Sequence, residues 1–212
     1  AGFHDTIATQ YTGLRAQQEL EGQFVNVEGA EWPPEYFDDS VFFSAWPEAL
    51  KCKVIAFDPS KGRADRHGDY SAFVVLGIDG DWNLWADADL DNQRPIEPLH
   101  GTGGRNAIDD GIALCLQHRP QAFVIETNGF QEMIAHAFAR VARERGIHLP
   151  IYTICSTTNK EARIRSLGTY FAQRRCKIKD SVGGRLLVQQ LSEFPEGQHD
   201  DGPDAMKMAE QM

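Results

Sequence analysis

Two short apolar runs, Val54-Ile55-Ala56-Phe57 and Phe123-Val124-Ile125, each stop on an acid, Asp58 and Glu126. Runs this short and this free of polar side chains read as strands buried on both faces, inside a sheet with helices on either side. Adjacent parallel strands bring their C-terminal ends side by side, so acids remote in sequence meet at one end of such a sheet. A third acidic segment, His199-Asp200-Asp201-Gly202-Pro203-Asp204-Ala205, lies near the C-terminus.

The pattern between these points predicts the rest of the sheet. Ala72-Phe73-Val74-Val75-Leu76-Gly77-Ile78 and Asn83-Leu84-Trp85-Ala86-Asp87-Ala88 flank Asp79-Gly80, a hairpin signal. Ile108, Ile112, Ala113 and Leu116 recur at helical spacing, and 121–126 is a strand. A helix over 130–145 puts Met133, Ile134, Ala137, Phe138 and Val141 on one face, with Gly146 as its stop. Pro150 to Ile154 is a further strand, and Asn159 caps a long helix reaching about Arg174, with Ile164, Leu167, Tyr170 and Phe171 inward. Cys176-Lys177-Ile178 reads as a short strand; Leu186, Leu187, Gln190 and Leu191 mark another helix, and the last begins near Asp204. The expected fold is α/β: a mixed sheet of three antiparallel strands and then parallel strands, flanked by helices.

Residues 1–50 read differently. A short helix over 7–21 and a strand over 22–29 precede Trp32-Pro33-Pro34-Glu35-Tyr36-Phe37, whose proline pair and clustered aromatics suit an arm that docks through large side chains. The division is thus an N-terminal arm, 1–50, and a main domain, 51–212.

Composition limits what the chain can do. No apolar run approaches the roughly 20 residues needed to span a bilayer, and 1–5 lack the basic and apolar regions of a secretory signal, so a cytoplasmic location is expected. Cys52, Cys115, Cys155 and Cys176 form no CxxC pair; reduced thiols are expected, with Cys115 and Cys155 partly buried, and no zinc site. The formal charge of −10 opposes tight autonomous nucleic-acid binding. Between 160 and 179, however, Lys160, Arg163, Arg165, Arg174, Arg175, Lys177 and Lys179 face only Glu161, the one stretch suited to a phosphate backbone.

Each acidic signal also has an ordinary explanation. Asp58 before Pro59 suits a turn, Glu126 suits an arginine partner, and aspartates in the first turn of a helix that starts near Pro203 complement its dipole. Capping accounts for one acid and does not need three. Together the acids suit a site for divalent metal, which runs in-line displacement at phosphorus with two ions.

The Asp-Pro-Ser-Lys-Gly loop at 58–62, the Ile-Glu-Thr-Asn strand end at 125–128, the Asn-Lys-Glu-Ala-Arg-Ile helix start at 159–164, and Leu-Ser-Glu-Phe-Pro followed by His-Asp-Asp-Gly-Pro-Asp-Ala resemble the nuclease domain of phage and prophage terminase large subunits. Residues 18–30 resemble the segment that leaves the ATPase domain in that family. The resemblance implies a ribonuclease H-like fold cutting concatemeric viral DNA with two Mg²⁺ or Mn²⁺ ions, in the host cell cytoplasm. It implies Asp58, Glu126 and Asp201 as the catalytic, metal-binding triad, with Asp204 as a candidate fourth ligand and Asp200 competing with Asp201 for the third place. Its implied partners are double-stranded DNA, the ATPase domain of the same packaging motor, and the portal and small terminase subunit, with no membrane. No GxxxxGK[ST] loop occurs, so ATP hydrolysis is not expected of this chain. Lys61, Lys160, Arg163 and Arg165 are candidate phosphate contacts, and His67 and His199 candidate orienting groups. The rival readings are another ribonuclease H-like nuclease, such as a junction resolvase or transposase, and a non-catalytic module that docks on the portal or capsid.

Overall fold

The computed structural model describes residues 29–59, 70–97, 105–126, 130–155 and 158–212. The helix expected over 7–21, all but the last residue of the strand expected over 22–29, and the candidates Lys61 and His67 lie outside the described residues. In chain order the elements are β1 (Phe42–Phe43), β2 (Cys52–Asp58), β3 (Ser71–Ile78), β4 (Leu84–Asp91), α1 (Ala107–His118), β5 (Ala122–Glu126), α2 (Phe130–Glu144), β6 (Ile151–Ile154), α3 (Lys160–Arg165), α4 (Gly168–Ala172), β7 (Cys176–Lys179), α5 (Val182–Glu193) and α6 (Asp201–Glu210). They build one seven-stranded sheet in the order β1-β7-β4-β3-β2-β5-β6. β2, β3 and β4 pair antiparallel, while β5 pairs parallel with both β2 and β6. That central order, an antiparallel trio continued by parallel strands, is the mixed sheet expected above.

Alternation along the strands divides the interior into two cores. Val54 and Ala56 of β2, with Ala72, Val74 and Leu76 of β3, face Ile164, Leu167, Phe171, Leu187, Leu191 and Met206 from the helices α3 to α6. Ile55 and Phe57, with Phe73 and Val75, face Ile108, Ile112, Ile134 and Phe138 from α1 and α2. Both faces are covered, which is why β2, β3 and β5 carry near-continuous apolar runs rather than a polar alternation. Phe57 stacks on Phe73 with ring centroids 4.1 Å apart. Burial of large aromatic side chains of this kind contributes roughly 1.5–3 kcal/mol each.

Several local expectations change. The hairpin expected around Asp79-Gly80 forms, with Asn83 in its loop rather than in the second strand: Asp79 N–H donates to Asn83 O at 3.1 Å, and Trp82 takes φ +65°. The Asp79 carboxylate accepts from the Asp81 and Asn83 backbone, from Asn83 Nδ2 and from Trp85 Nε1, each at 2.9 Å. Both amphipathic helices sit rotated from the expected faces. In α1 the buried line is Ala107, Ile108, Gly111, Ile112 and Cys115, and Leu116 is exposed; in α2 Met133 points outward while Ile134, Ala135, Phe138 and Ala142 are buried. Cys155 is exposed, against expectation, while Cys115 is buried as expected.

The long helix from Asn159 is two helices. Asn159 does cap, its side chain accepting from Ala162 N–H at 3.2 Å. Ser166 Oγ then donates to Arg163 O at 2.6 Å, taking up a carbonyl that a continuing helix would use. At Gly168 a Cβ would lie 2.4 Å from Trp32 Nε1, so the indole can approach only because that position carries no side chain. Trp32 packs there against Phe171 and stacks on Phe194, each at 5.5 Å. Phe37, fully buried, lies 5.2 Å from Phe171. Residues 32–43 are therefore built into the core and, through β1, into the sheet. Among the described residues no helix is long and apolar enough to cross a membrane.

Candidate metal centre

Asp58 is the last residue of β2 and Glu126 the last of β5. Because Phe57 lies opposite Ile125 in parallel register, the next residue on each strand, Asp58 and Glu126, reaches the same end of the sheet. α6 crosses the β2–β3 face there, and its first turn carries Asp201 and Asp204. All four carboxylates are buried, Asp204 at 1% exposure. Asp58, Glu126, Asp201 and Asp204 thus lie toward one end of the sheet, each in the electrostatic field of others among them.

Helix capping does not account for them. Asp200 occupies the N-cap of α6 yet makes no side-chain cap bond; its Oδ1 lies 2.9 Å from Lys160 Nζ instead. Asp201 Oδ2 accepts from the Tyr70 backbone N–H at 2.9 Å. Both oxygens of Asp204 receive Arg163, at 2.9 and 3.0 Å from one guanidinium nitrogen. The second guanidinium nitrogen reaches Glu126 Oε1 at 3.4 Å. Lys160 Nζ lies 3.6 Å from Asp204 Oδ2. Lys160 and Arg163, three apart on α3, share a face of the helix. His199 stands edge-on to Tyr70 at 4.8 Å, with Nδ1 4.0 Å from Asp201 Oδ2.

Of the candidate phosphate contacts, then, Lys160 and Arg163 lie among the carboxylates. Arg165 points elsewhere, to Glu31 at 2.8 Å and Glu161 at 3.4 Å. The remaining cations of 160–179 do not form one patch. Arg174 pairs with Asp38, Lys179 with Asp87, Lys177 with Ser40 O and Arg175 with Asp81 O.

Among the described residues, acids outnumber cations at this end of the sheet. Burial pushes the Asp58 carboxyl well above its usual range; Lys160 pulls it back, while Asp204, Asp201 and Glu126 push it further up. Burial likewise raises Asp204 to about 6, against the pull of Lys160 and Arg163. Burial works against the Lys160 ammonium, but Asp58, Asp204 and Asp200 outweigh it and hold its pKa above the ordinary value.

Carboxylate oxygens are hard donors that suit Mg²⁺ or Mn²⁺, and a divalent ion would relieve the repulsion at Asp58. The donor chemistry therefore fits such an ion. Among the described residues no three or more His, Cys, Asp or Glu side chains are already gathered around a single ion position. The cations Lys160 and Arg163 hold the oxygens of Asp204, Asp200 and Glu126 instead. Their place could have been read from the i, i+3 spacing after the Asn159 cap; the Tyr70 contact, made by a backbone N–H, leaves no mark in the side-chain pattern.

No family model matches the chain, and no curated protein matches it. Among solved structures, Thermus thermophilus RuvC in complex with Holliday junction substrate aligns at 16% identity and a TM-score of 0.41, covering 74% of this chain and 90% of that one. A second structure of Thermus thermophilus RuvC aligns with the same figures.

Proposed function

We propose that this chain is a divalent-metal-dependent DNA endonuclease, and that it serves as the nuclease domain of a viral genome-packaging terminase large subunit. The observation that carries the nuclease reading is the buried group Asp58, Glu126, Asp201 and Asp204 at one end of the sheet, with the Asp58 carboxyl raised first by burial and then, against the pull of Lys160, by the other three acids. A carboxylate cluster of this kind destabilises a fold unless cations fill it. The packaging role is supported by the ordered motifs from 58 to 205 that resemble that family.

In this reading Asp58, Glu126, Asp201 and Asp204 hold Mg²⁺ or Mn²⁺, which when bound supplies an activated water and stabilises the leaving 3′ oxygen. The chain's own part is to orient and to neutralise. Tyr70 N–H fixes the Asp201 carboxylate. Lys160, poised between Asp200 and Asp204, is placed to meet a backbone phosphate at the rim. The formal charge of −10 keeps affinity for free DNA low, so DNA must be delivered locally, as a tethered motor would do.

Plasmid cleavage with Mn²⁺ tests the reading. Asp58→Asn is expected to lower the rate by at least about 100-fold, the upper end of what losing even an outer partner of a metal costs. Cleavage undiminished in that variant removes Asp58 from the chemistry. A preference for four-way junctions over linear duplex assigns the chain to junction resolution instead. Absence of cleavage by the wild type under any divalent metal, with tight portal binding, assigns it to docking.

A further inference from the structure

The end of the sheet remote from the acids holds a cleft of the opposite charge. Lys53 lies near the start of β2, whose far end is Asp58. Together with Glu48, Gln121, and His118 and Arg119 from the end of α1, it lines a cleft of about 210 Å³. Acids outnumber bases 31 to 21 in this chain, yet among the described residues neither Lys53 nor Arg119 pairs with a carboxylate. Lys53 Nζ lies over the Trp46 ring instead, 5.4 Å from its centroid. Arg119 takes φ +48°, the left-handed position after a helix that glycine or asparagine usually fills. An arginine there carries backbone strain that glycine would avoid, so the turn does not account for it. Gln121 is locked in place: its Oε1 accepts from Lys53 N–H at 2.7 Å, and its own N–H donates to Lys53 O at 2.9 Å. That fixes the amide and leaves Nε2 as a donor without an acceptor among the described residues. His118 is 8% exposed and meets Trp46 edge-on at 5.7 Å. Its imidazole makes no hydrogen bond or ion pair among the described residues, although buried polar groups ordinarily have a partner.

We propose that this cleft binds the phosphate group of a phosphate ester, with Lys53 and Arg119 as counter-charges and Gln121 Nε2 and His118 as further donors. The inference goes beyond the nuclease reading and does not depend on the acids. Size limits the ligand first. At about 30 Å³ per water the cleft has room for about seven waters, below the roughly 300–1,000 Å³ of a site that encloses a whole small molecule. It takes a head group and leaves the remainder of the ester outside. Charge limits it next. Lys53 and Arg119 against Glu48 leave the lining with one net positive charge. Asp87 and Lys179, the other charges that act on His118, pair with each other at 3.1 Å. Burial, and then Lys53, lower the pKa of His118, so near pH 7 the ring is neutral and donates through one N–H. Four donor groups around one space outnumber the two oxygens of a carboxylate and suit a tetrahedral anion, and arginine's fork matches two of its oxygens. A free nucleotide and a nucleic-acid strand present the same group.

The test is a titration of the whole chain at pH 7 with inorganic phosphate, followed by ¹H–¹⁵N NMR of the His118 imidazole and of the 118–121 amides. EDTA is present throughout, so the result is separate from any metal-dependent cleavage. Wild type is expected to show saturable shifts at His118 and Gln121 in the millimolar range. Lys53→Gln and Arg119→Gln should each weaken binding about tenfold, the scale of one charge-assisted hydrogen bond. Glu48→Gln should tighten it. All three side chains are exposed or half-exposed, and a variant that fails to fold leaves the other two to decide. Thymidine monophosphate and an oligothymidylate are then competed against the bound phosphate. Displacement by the oligonucleotide identifies a nucleic-acid strand as the source; displacement by the mononucleotide alone identifies a free ester. Displacement by neither marks an adventitious ion only and overturns the proposal. So do shifts that never saturate, shifts undiminished when Lys53→Gln and Arg119→Gln are combined, and weaker binding in Glu48→Gln.

Discussion

With metal chelated, the protein should lose stability as the pH rises from 5 to 7.5, and Asp204 sets the scale. Its carboxyl titrates at about 6 in the folded chain against an ordinary 3.8, chiefly because it is buried. That displacement of about 2 units corresponds to about 3 kcal/mol at about 1.4 kcal/mol per unit. The folded state holds the proton more tightly than the unfolded one. The contribution is therefore full below about pH 3.8 and lost as the pH passes through about 6. Linkage assigns roughly 1.4 kcal/mol of it to the interval from pH 5 to 7.5. Asp58, raised by burial and by its acidic neighbours, adds with the same sign. At about 2–4 °C per kcal/mol for a domain of this size, the melting temperature should fall by roughly 3–6 °C from Asp204 alone. Thermal melts in EDTA at pH 5, 6 and 7.5 measure this. Asp204→Asn should flatten the slope, even though its absolute stability drops because Arg163 loses its partner. Saturating Mn²⁺ should reverse the trend, since its ligands must be deprotonated. A melting temperature that is flat or rises with pH in EDTA, or a wild-type slope retained in Asp204→Asn, refutes the reasoning.

Two further outcomes bear on the scaffold. Gly183→Ala would set a Cβ 1.8 Å from Ala88 O, backbone that cannot turn aside, so α5 must shift off β4; urea unfolding should show a loss of about 1–3 kcal/mol or more. Asp79→Ala removes the acceptor for four N–H groups in a partly exposed loop, and the same assay should show a loss of about 1–2 kcal/mol with the acidic end of the sheet untouched.

The sheet was legible because its strands are buried on both faces. Val54 to Phe57 and Phe123 to Ile125 carry nothing but apolar side chains, and the acid at each end marks where the strand leaves the core. That Asp58 and Glu126 end neighbouring strands, and that a helix begins at Asp201, followed from the apolar runs and from the helix start near Pro203. What escaped the sequence depended on contacts from elsewhere. Which face of α1 and α2 lies inward turned on how they meet β2 and β3, so Met133 and Leu116 were placed on the wrong side. The break after Arg165 needed Ser166 and the approach of Trp32 at Gly168, remote in sequence from the helix it interrupts. Asn83 stays in the hairpin loop because the Asp79 carboxylate accepts from both its backbone and its side chain. Arg163 was legible as a cation but not as a partner of Asp204, since that pairing crosses 41 residues.

The seat of Trp32 gives the pocket a mechanical neighbour. Glu31 N–H donates to Phe194 O at 2.7 Å, and its carboxylate holds Arg165 at 2.8 Å, two residues along the helix from Arg163. Glu31 and Trp32 thus fasten the segment ahead of β1 to the short rod that carries Lys160 and Arg163, by one ion pair and one indole wedged against Phe171.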